Sequence, residues 1–349
     1  MTITATAPGQ YNTFIPNVAA SKGLVVDFSR NPKDFALPRY VQYVSVQKNA
    51  GQYIRMTVEQ AGRILDSNGG DFFWPDGADA PLGYGNRELF EFQPYRTKRF
   101  AFPVMLGELA VEQAEWDVLA QHARIQAQQC MTWRTQQVVT DITTSANWDG
   151  NTVAATSITG VTAEHDLSTT ARKDIKRTLD YAADQIRLKT LGAVKPDQLH
   201  VVVGPDWARR VAVSQEIVDH VKQSPAAREE LEKGLGPNVR YGLPSTLYGY
   251  NIEVEDAVKT TSRKGAASVA KSYVMSGSNL VMLSRVGELE GVEGSPSFST
   301  VTLFLKEEMT VESKHDRDNR RHQARVVDDY DSVITAPASG YLVTGCLSS

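Results

Sequence analysis

"VVVGPDWARRVAVSQEIVDHVKQS", Val201 to Ser224, is the stretch on which the fold turns. The valine run is a buried strand, Gly204 and Pro205 end it, and a helical period follows at once. Proline suits a first helical position, because the N–H it lacks is one the helix leaves unbonded. Ser214 is placed to cap the next helix, and Ser224-Pro225 to start a third that ends at Gly234. A strand feeding a helix through glycine is also how nucleotide sites present backbone N–H groups to phosphate. This turn has neither a Walker-type Gly-Lys-Ser/Thr ending nor spaced glycines, and Pro205 deletes a donor, so it reads as a structural connection.

Working outward, a helix beginning near Ser168 precedes the strand, with Ile175, Leu179, Ala182, Ala183 and Ile186 as its apolar stripe and Gly192 as its stop. From Leu106, Trp116, Leu119, Ala123, Ala127, Cys130, Val138 and Ile142 recur in helical steps broken only at Arg134. That spacing predicts one spine helix of more than about thirty residues, roughly 50 Å long at about 1.5 Å per residue. Trp116 and Trp133 on it read as packing residues. After the opening stretch, "NIEVE", "SYVMS" and "NLVML" are short strands. "STVTLFLKEEMTVESKH" and "RRHQARVVDDYDSVITA" are two long strands joined by "DRDNR", and "SGYLVTGCL" closes the chain.

Towards the N-terminus, "YVQYVSVQ", "QYIRMTV" and "ELFEFQPYRTKRFAF" read as strands, with Pro94 favouring an edge or projecting position. Between the last two lies a Gly-, Asp- and Pro-rich loop carrying Phe72, Phe73 and Trp74, adjacent aromatics that want a partner surface. Tyr95, Arg96, Lys98 and Arg99 in "PYRTKRF" fit a nucleic-acid patch, or a strand whose cations are solvated or pair with carboxylates of another subunit; a mildly acidic chain favours the second. Residues before Pro38 show no sustained period and read as an extended arm.

Composition narrows the function classes. The 349 residues are 41% hydrophobic and 22% charged, a core-forming balance, and 37 Lys and Arg against 41 Asp and Glu leave a net charge of -4 that disfavours unspecific nucleic-acid binding. The 2 cysteines, Cys130 and Cys346, suggest a reduced compartment without a disulfide framework. Neither a secretory leader nor a membrane-spanning apolar run is present. His315 and His322 with Asp316 and Asp318 suggest a metal, but their spacing fits no helical pair or calcium loop, and a charged turn is the reading preferred. No complete catalytic motif occurs, so neither catalytic residues nor a cofactor are expected.

The order of parts, and the stretches "FQPYRTKRFAFPVMLGELAVEQAEWD", "LHVVVGPDWARRVAVSQEIVDHVKQS" and "VVDDYDSVITAPASGYLVTGCLS", resemble the major capsid proteins of tailed bacteriophages, from about Tyr40 onward. The resemblance implies an α+β chain with the Johnson (Hong Kong 97-like) capsid fold. An N-terminal arm would occupy 1–38, an extended loop 39–105, a P-domain 106–165 and 297–335, and an A-domain 166–296 and 336–349. It further implies self-assembly through pentamers and hexamers into an icosahedral shell that encloses double-stranded DNA without reading its sequence. Such a shell protein is a virion component assembled in the bacterial host cytoplasm, with a portal and, in some members, a cement protein as partners. Phe72, Phe73, Trp74, Tyr95, Arg96, Lys98 and Arg99 would lie at contacts between copies. Some family members carry a helical, charged scaffolding segment that is cleaved off; nothing before Tyr40 resembles one, which points to a separate scaffolding protein or none. Two other classes remain as alternatives. An encapsulin-type compartment shares the fold but is typically shorter, and an α/β enzyme would need a pocket and a catalytic set that the sequence does not display.

Overall fold

The computed structural model describes residues 30–31, 34–56, 76, 90–114, 117–223, 239–263, 266–286 and 298–348. Leu199–Val203 lies inside a seven-stranded sheet, parallel to Tyr250–Val254 on one side and antiparallel to Leu280–Val286 on the other. Gly340–Thr344 and Thr152–Ala154 extend the sheet beyond Leu280–Val286. The valine run does not alternate with polar residues because both faces of this sheet are covered. Val201 and Val203 enter one core with Ile175, Leu179 and Ile186, whereas Val202 enters the other with Val138, Ile142 and Trp148.

The second core is shared with a four-stranded sheet in the order Gln42–Ser45, Val301–Asp316, Arg321–Ile334, Lys98–Gly107. Val301–Asp316 and Arg321–Ile334 form the long ribbon, paired from Val301 opposite Ile334 to Asp316 opposite Arg321, with register shifts between Leu305 and Thr310. Lys98–Gly107 completes one edge, its exposed residues alternating with the half-buried Phe100, Phe102, Val104 and Leu106. Ala50–Met56 and Phe90–Arg96 make a separate hairpin leading out of this sheet.

The spine helix is shorter than its periodicity suggests. Leu106 and Gly107 still belong to the edge strand, Glu108–Glu112 is a separate short helix, and the spine runs Val118–Thr143, 26 residues or about 39 Å. Asp117 sets its start by accepting from the Ala120 N–H at 2.9 Å, a cap that periodicity alone does not reveal. Trp116 lies outside the described residues, and Trp133 is 41% exposed beside Phe100, so it is only half a packing residue.

The next helix begins at Asp174, later than Ser168, because Lys173 takes a left-handed conformation with φ 54°. Ser168 still contributes, its Oγ accepting from the Asp174 N–H. The stripe Ile175, Leu179, Ala182 and Ile186 is buried, and Gly192, with φ 80°, ends the turn. Pro205–Ala212 and Gln215–Gln223 follow the central strand. Ser214 precedes the latter, but its Oγ has no hydrogen-bond partner, so the side-chain cap is not made. The helix expected from Ser224 to Gly234 lies outside the described residues. "SYVMS" is strand only as far as Tyr273, after which Val274 and Met275 turn into the core. Within the stretch read as an arm, Phe35, Ala36 and Leu37 are core residues, so the last part of that segment is built into the body.

Candidate subunit interface

The Gly204 turn is closed to ligands by packing. A Cβ on Gly204 would stand 2.8 Å from the Met275 carbonyl oxygen and 3.1 Å from Ser276 backbone atoms. The glycine is there so that two backbone segments touch, which leaves no cradle for phosphate. Behind it, buried His165 accepts from Trp207 Nε1 at 3.0 Å and lies 3.0 Å from Thr178 Oγ1. Burial lowers this imidazole to about 4, so it is neutral at physiological pH and structural in role.

The strongest polar contact joins the spine helix to the ribbon. Arg134 donates to both oxygens of Asp328, Nη2 to Oδ1 at 2.6 Å and Nε to Oδ2 at 3.0 Å, and Cys130 Sγ lies 3.4 Å from the same carboxylate. Burial pushes the Cys130 thiol up, so it stays protonated and unreactive. Arg134 interrupts the apolar stripe of the helix, which was the one signal in the sequence that something charged had to be matched there. Nothing local in Asp328 names its partner. A cavity of about 240 Å³ lined by Tyr43, Arg134, Leu305, Glu308 and Met309 opens where the ribbon register shifts.

The basic cluster lies at the root of the hairpin. Tyr95 stacks on Phe304 of the ribbon with ring centroids 4.4 Å apart, Tyr53 sits 5.8 Å from the same ring, and Gly51 leaves the space that the Tyr95 ring fills. The Arg96 N–H donates to Asp331 Oδ2 at 2.8 Å. Arg99 reaches Asp329 at 3.5 Å and Glu307 at 3.7 Å, carboxylates of its own chain. Lys98 lies near Asp141 and Asp331, both raised by burial while the lysine charge opposes the rise. The structure therefore brings Tyr95, Arg96, Lys98 and Arg99 together at the junction between hairpin and ribbon. Phe72, Phe73 and Trp74 lie outside the described residues.

Beyond the root, the other face of the hairpin carries apolar residues that no described residue covers. Ile54 and Phe92 are paired across the strands and each is 58% exposed. A strand pattern alone does not say which face is covered. At the far end of the ribbon, His315 and His322 pair across the strands with rings stacked at 4.5 Å, and His315 Nε2 lies 3.6 Å from Glu108 Oε1. Asp316 accepts from Asn319 and from Arg321 Nε, both at 2.9 Å, contacts that hold its carboxyl below the usual range. Among the described residues no three metal-ligating side chains converge. Nor, among the described residues, is any helix long and apolar enough to cross a membrane.

No protein-family model and no curated protein matches the sequence. Solved structures do match. A phage-related protein from Bordetella bronchiseptica superposes with a TM-score of 0.57 at 15% identity, covering 89% of this chain and 92% of that one. The capsid of cyanophage P-SCSP1u gives 0.55 at 12% identity, covering 98% and 96%. The mature capsid of bacteriophage PhiM1 gives 0.52 at 14% identity, covering 99% and 92%. At these identities the likeness establishes the fold, and that fold is the one of phage capsid subunits, as the resemblance in sequence implied.

Proposed function

We propose that a chain with this fold serves as the major capsid protein of a tailed bacteriophage, building an icosahedral shell from pentamers and hexamers around double-stranded DNA. The observation that carries the reading is the near end-to-end match, in both directions, to subunits of phage capsids. An enzyme grafted on the same scaffold would need a site, and the one turn that resembled a nucleotide cradle is filled by Met275 and Ser276. The role is mechanical. Each copy adds modest heterologous contacts, and closure of the shell makes them collectively irreversible.

In this reading the arm is 1–38, with Phe35 to Leu37 anchored in the body, the extended loop 39–105, the P-domain 106–165 with 297–335, although Thr152–Ala154 joins the sheet of the A-domain, and the A-domain 166–296 with 336–349. The hairpin and the loop carrying Phe72, Phe73 and Trp74 lie over a neighbouring copy. The shell holds the genome through its closed geometry and recognises no base sequence, consistent with a net charge of -4. A separate scaffolding protein and a portal complete the set of partners, with assembly in the bacterial cytoplasm.

The test is sedimentation with electron microscopy of native particles, with ultraviolet absorbance recorded across the same gradient. Uniform shells that contain nucleic acid are expected. Shells that hold only protein would replace the viral reading with a cargo compartment, and a small species carrying a bound metabolite would replace both with an enzyme.

A further inference from the structure

Three carboxylates stand at the end of strand Tyr250–Val254 and just beyond it, and each holds a different residue of the segment that enters the body from the N-terminus. Arg39 Nη1 meets Glu253 Oε2 at 3.2 Å, the Tyr40 hydroxyl donates to Glu255 Oε2 at 3.0 Å, and Arg30 Nη1 donates to Asp256 Oδ1 at 2.8 Å. The segment is held elsewhere as well. Arg285 donates to the Pro38 and Arg39 carbonyls at 3.0 and 2.9 Å, and the Arg30 N–H donates to Gln128 of the spine helix at 2.8 Å. Phe35 and Leu37, 2% and 0% exposed, are the apolar plug that these contacts keep in place.

The three carboxylates are not equivalent. The Glu253 and Asp256 side chains are 13% and 24% exposed and each faces a guanidinium, so their charges are compensated. Glu255 is fully buried, and the partners it accepts from are a phenol and the Ala257 N–H at 3.3 Å. The titratable and charged groups around it are Tyr40, Arg39 and Arg30 on the segment, Tyr43 on the neighbouring strand, Glu253 and Asp256 on its own strand end, Tyr241 behind Asp256, and Arg285. Arg30, the cation nearest to helping, is committed to Asp256.

We propose that Glu255 is a proton-dependent latch for the segment Asp34 to Val41: neutral, it closes under Tyr40, and ionised, it draws in water and loosens the segment from the body. Burial raises this carboxyl from 4.5 to about 7, with Asp256 adding to the rise and the Tyr40 hydrogen bond opposing it. The closed state thus holds a proton that the open state has released between pH 4.5 and about 7. Closure is fully favoured below that window, weakens as pH rises through it, and stays weakened above. The latch belongs to the single subunit and operates whether or not copies assemble.

Hydrogen exchange on the full chain as isolated subunit tests this. The Arg39 and Val41 N–H groups are bonded to Ala36 and Leu37 carbonyls, so their exchange reports opening of the segment. After correction for the intrinsic effect of pH, opening is expected to increase on the order of a hundredfold from about pH 5 to about pH 7.5 in the native chain, and by less than about threefold in Glu255→Gln. Tyr40→Phe removes the hydrogen bond that favours the ionised carboxylate, so it is expected to move the midpoint upward. A flat native profile, or a Glu255→Gln profile as steep as the native one, overturns the latch. Should Glu255→Gln fail to fold, an unmoved midpoint in Tyr40→Phe overturns it equally.

Discussion

Arg134 and Asp328 show what a single buried pair does in a fold of this kind. The guanidinium and the carboxylate are 8% and 0% exposed, so the cost of removing either one lies mostly in the charge left behind. Asp328→Ala is expected to lower unfolding free energy by about 3–5 kcal/mol, read from urea denaturation of the isolated subunit. Arg134→Met combined with Asp328→Leu is expected to cost clearly less than the single change, because it leaves no unpaired charge. His165 gives a second prediction at this scale. Its native value of about 4 against an ordinary 6.5 means that the unfolded chain binds the extra proton, so stability present above pH 6.5 is lost as pH falls towards 4. The loss is about 3 kcal/mol at full extent. A His165→Gln chain, compared with the native one by urea midpoints along a pH series, is expected to show a shallower acid slope.

Among the elements, the hairpin Ala50–Met56 with Phe90–Arg96 stands apart from both larger sheets. Its root is fastened by the Tyr95 and Tyr53 rings on Phe304 and by the Arg96 N–H on Asp331, while Ile54 and Phe92 face outward. Phe304→Ala removes the ring on which both tyrosines rest, at a cost of about 3 kcal/mol if the cavity does not collapse. Exchange of the hairpin amides is expected to rise more than that of the central sheet. Ile54→Ser with Phe92→Ser acts differently. Both side chains are more than half exposed, so subunit stability is expected to change by only about 1 kcal/mol, mainly through loss of their cross-strand pair. Shell yield by sedimentation is expected to fall, because the apolar face is what a neighbour would cover; an unchanged yield would place the contact elsewhere.

For the whole molecule, two cores share one central sheet, and the chain visits the second core first through Phe35 to Val41 and last through Leu342. The deletion of Asp71 to Gly85 leaves every residue of both cores in the chain. The expected product is a folded subunit, with a thermal midpoint close to the native one, that no longer makes stable shells. Equally stable particles from that deletion would remove the loop from the proposed contacts between copies.

Much of this architecture was legible in local pattern. The strand at Val201, the stripe of Asp174–Lys189 and the two ribbon strands follow from hydrophobic period and from Gly and Pro punctuation, which act within a few residues. The order of those elements, together with three local stretches, carried the resemblance that implied the fold. Where helices begin was less legible, because Asp117 and Lys173 set the starts through a cap and a left-handed turn that no periodicity encodes. The basic cluster was visible as composition, yet its partners Asp329, Asp331 and Phe304 come from more than two hundred residues away. Arg134 with Asp328 and Tyr40 with Glu255 are likewise pairs between distant parts of the chain, 194 and 215 residues apart. The sequence by itself determined the elements and their order, since these depend on interactions between near neighbours in the chain. Only the tertiary structure decided which charges are buried, which face of the hairpin stays open and what fills the Gly204 turn, since burial and pairing are properties of segments that meet only when the whole chain has folded.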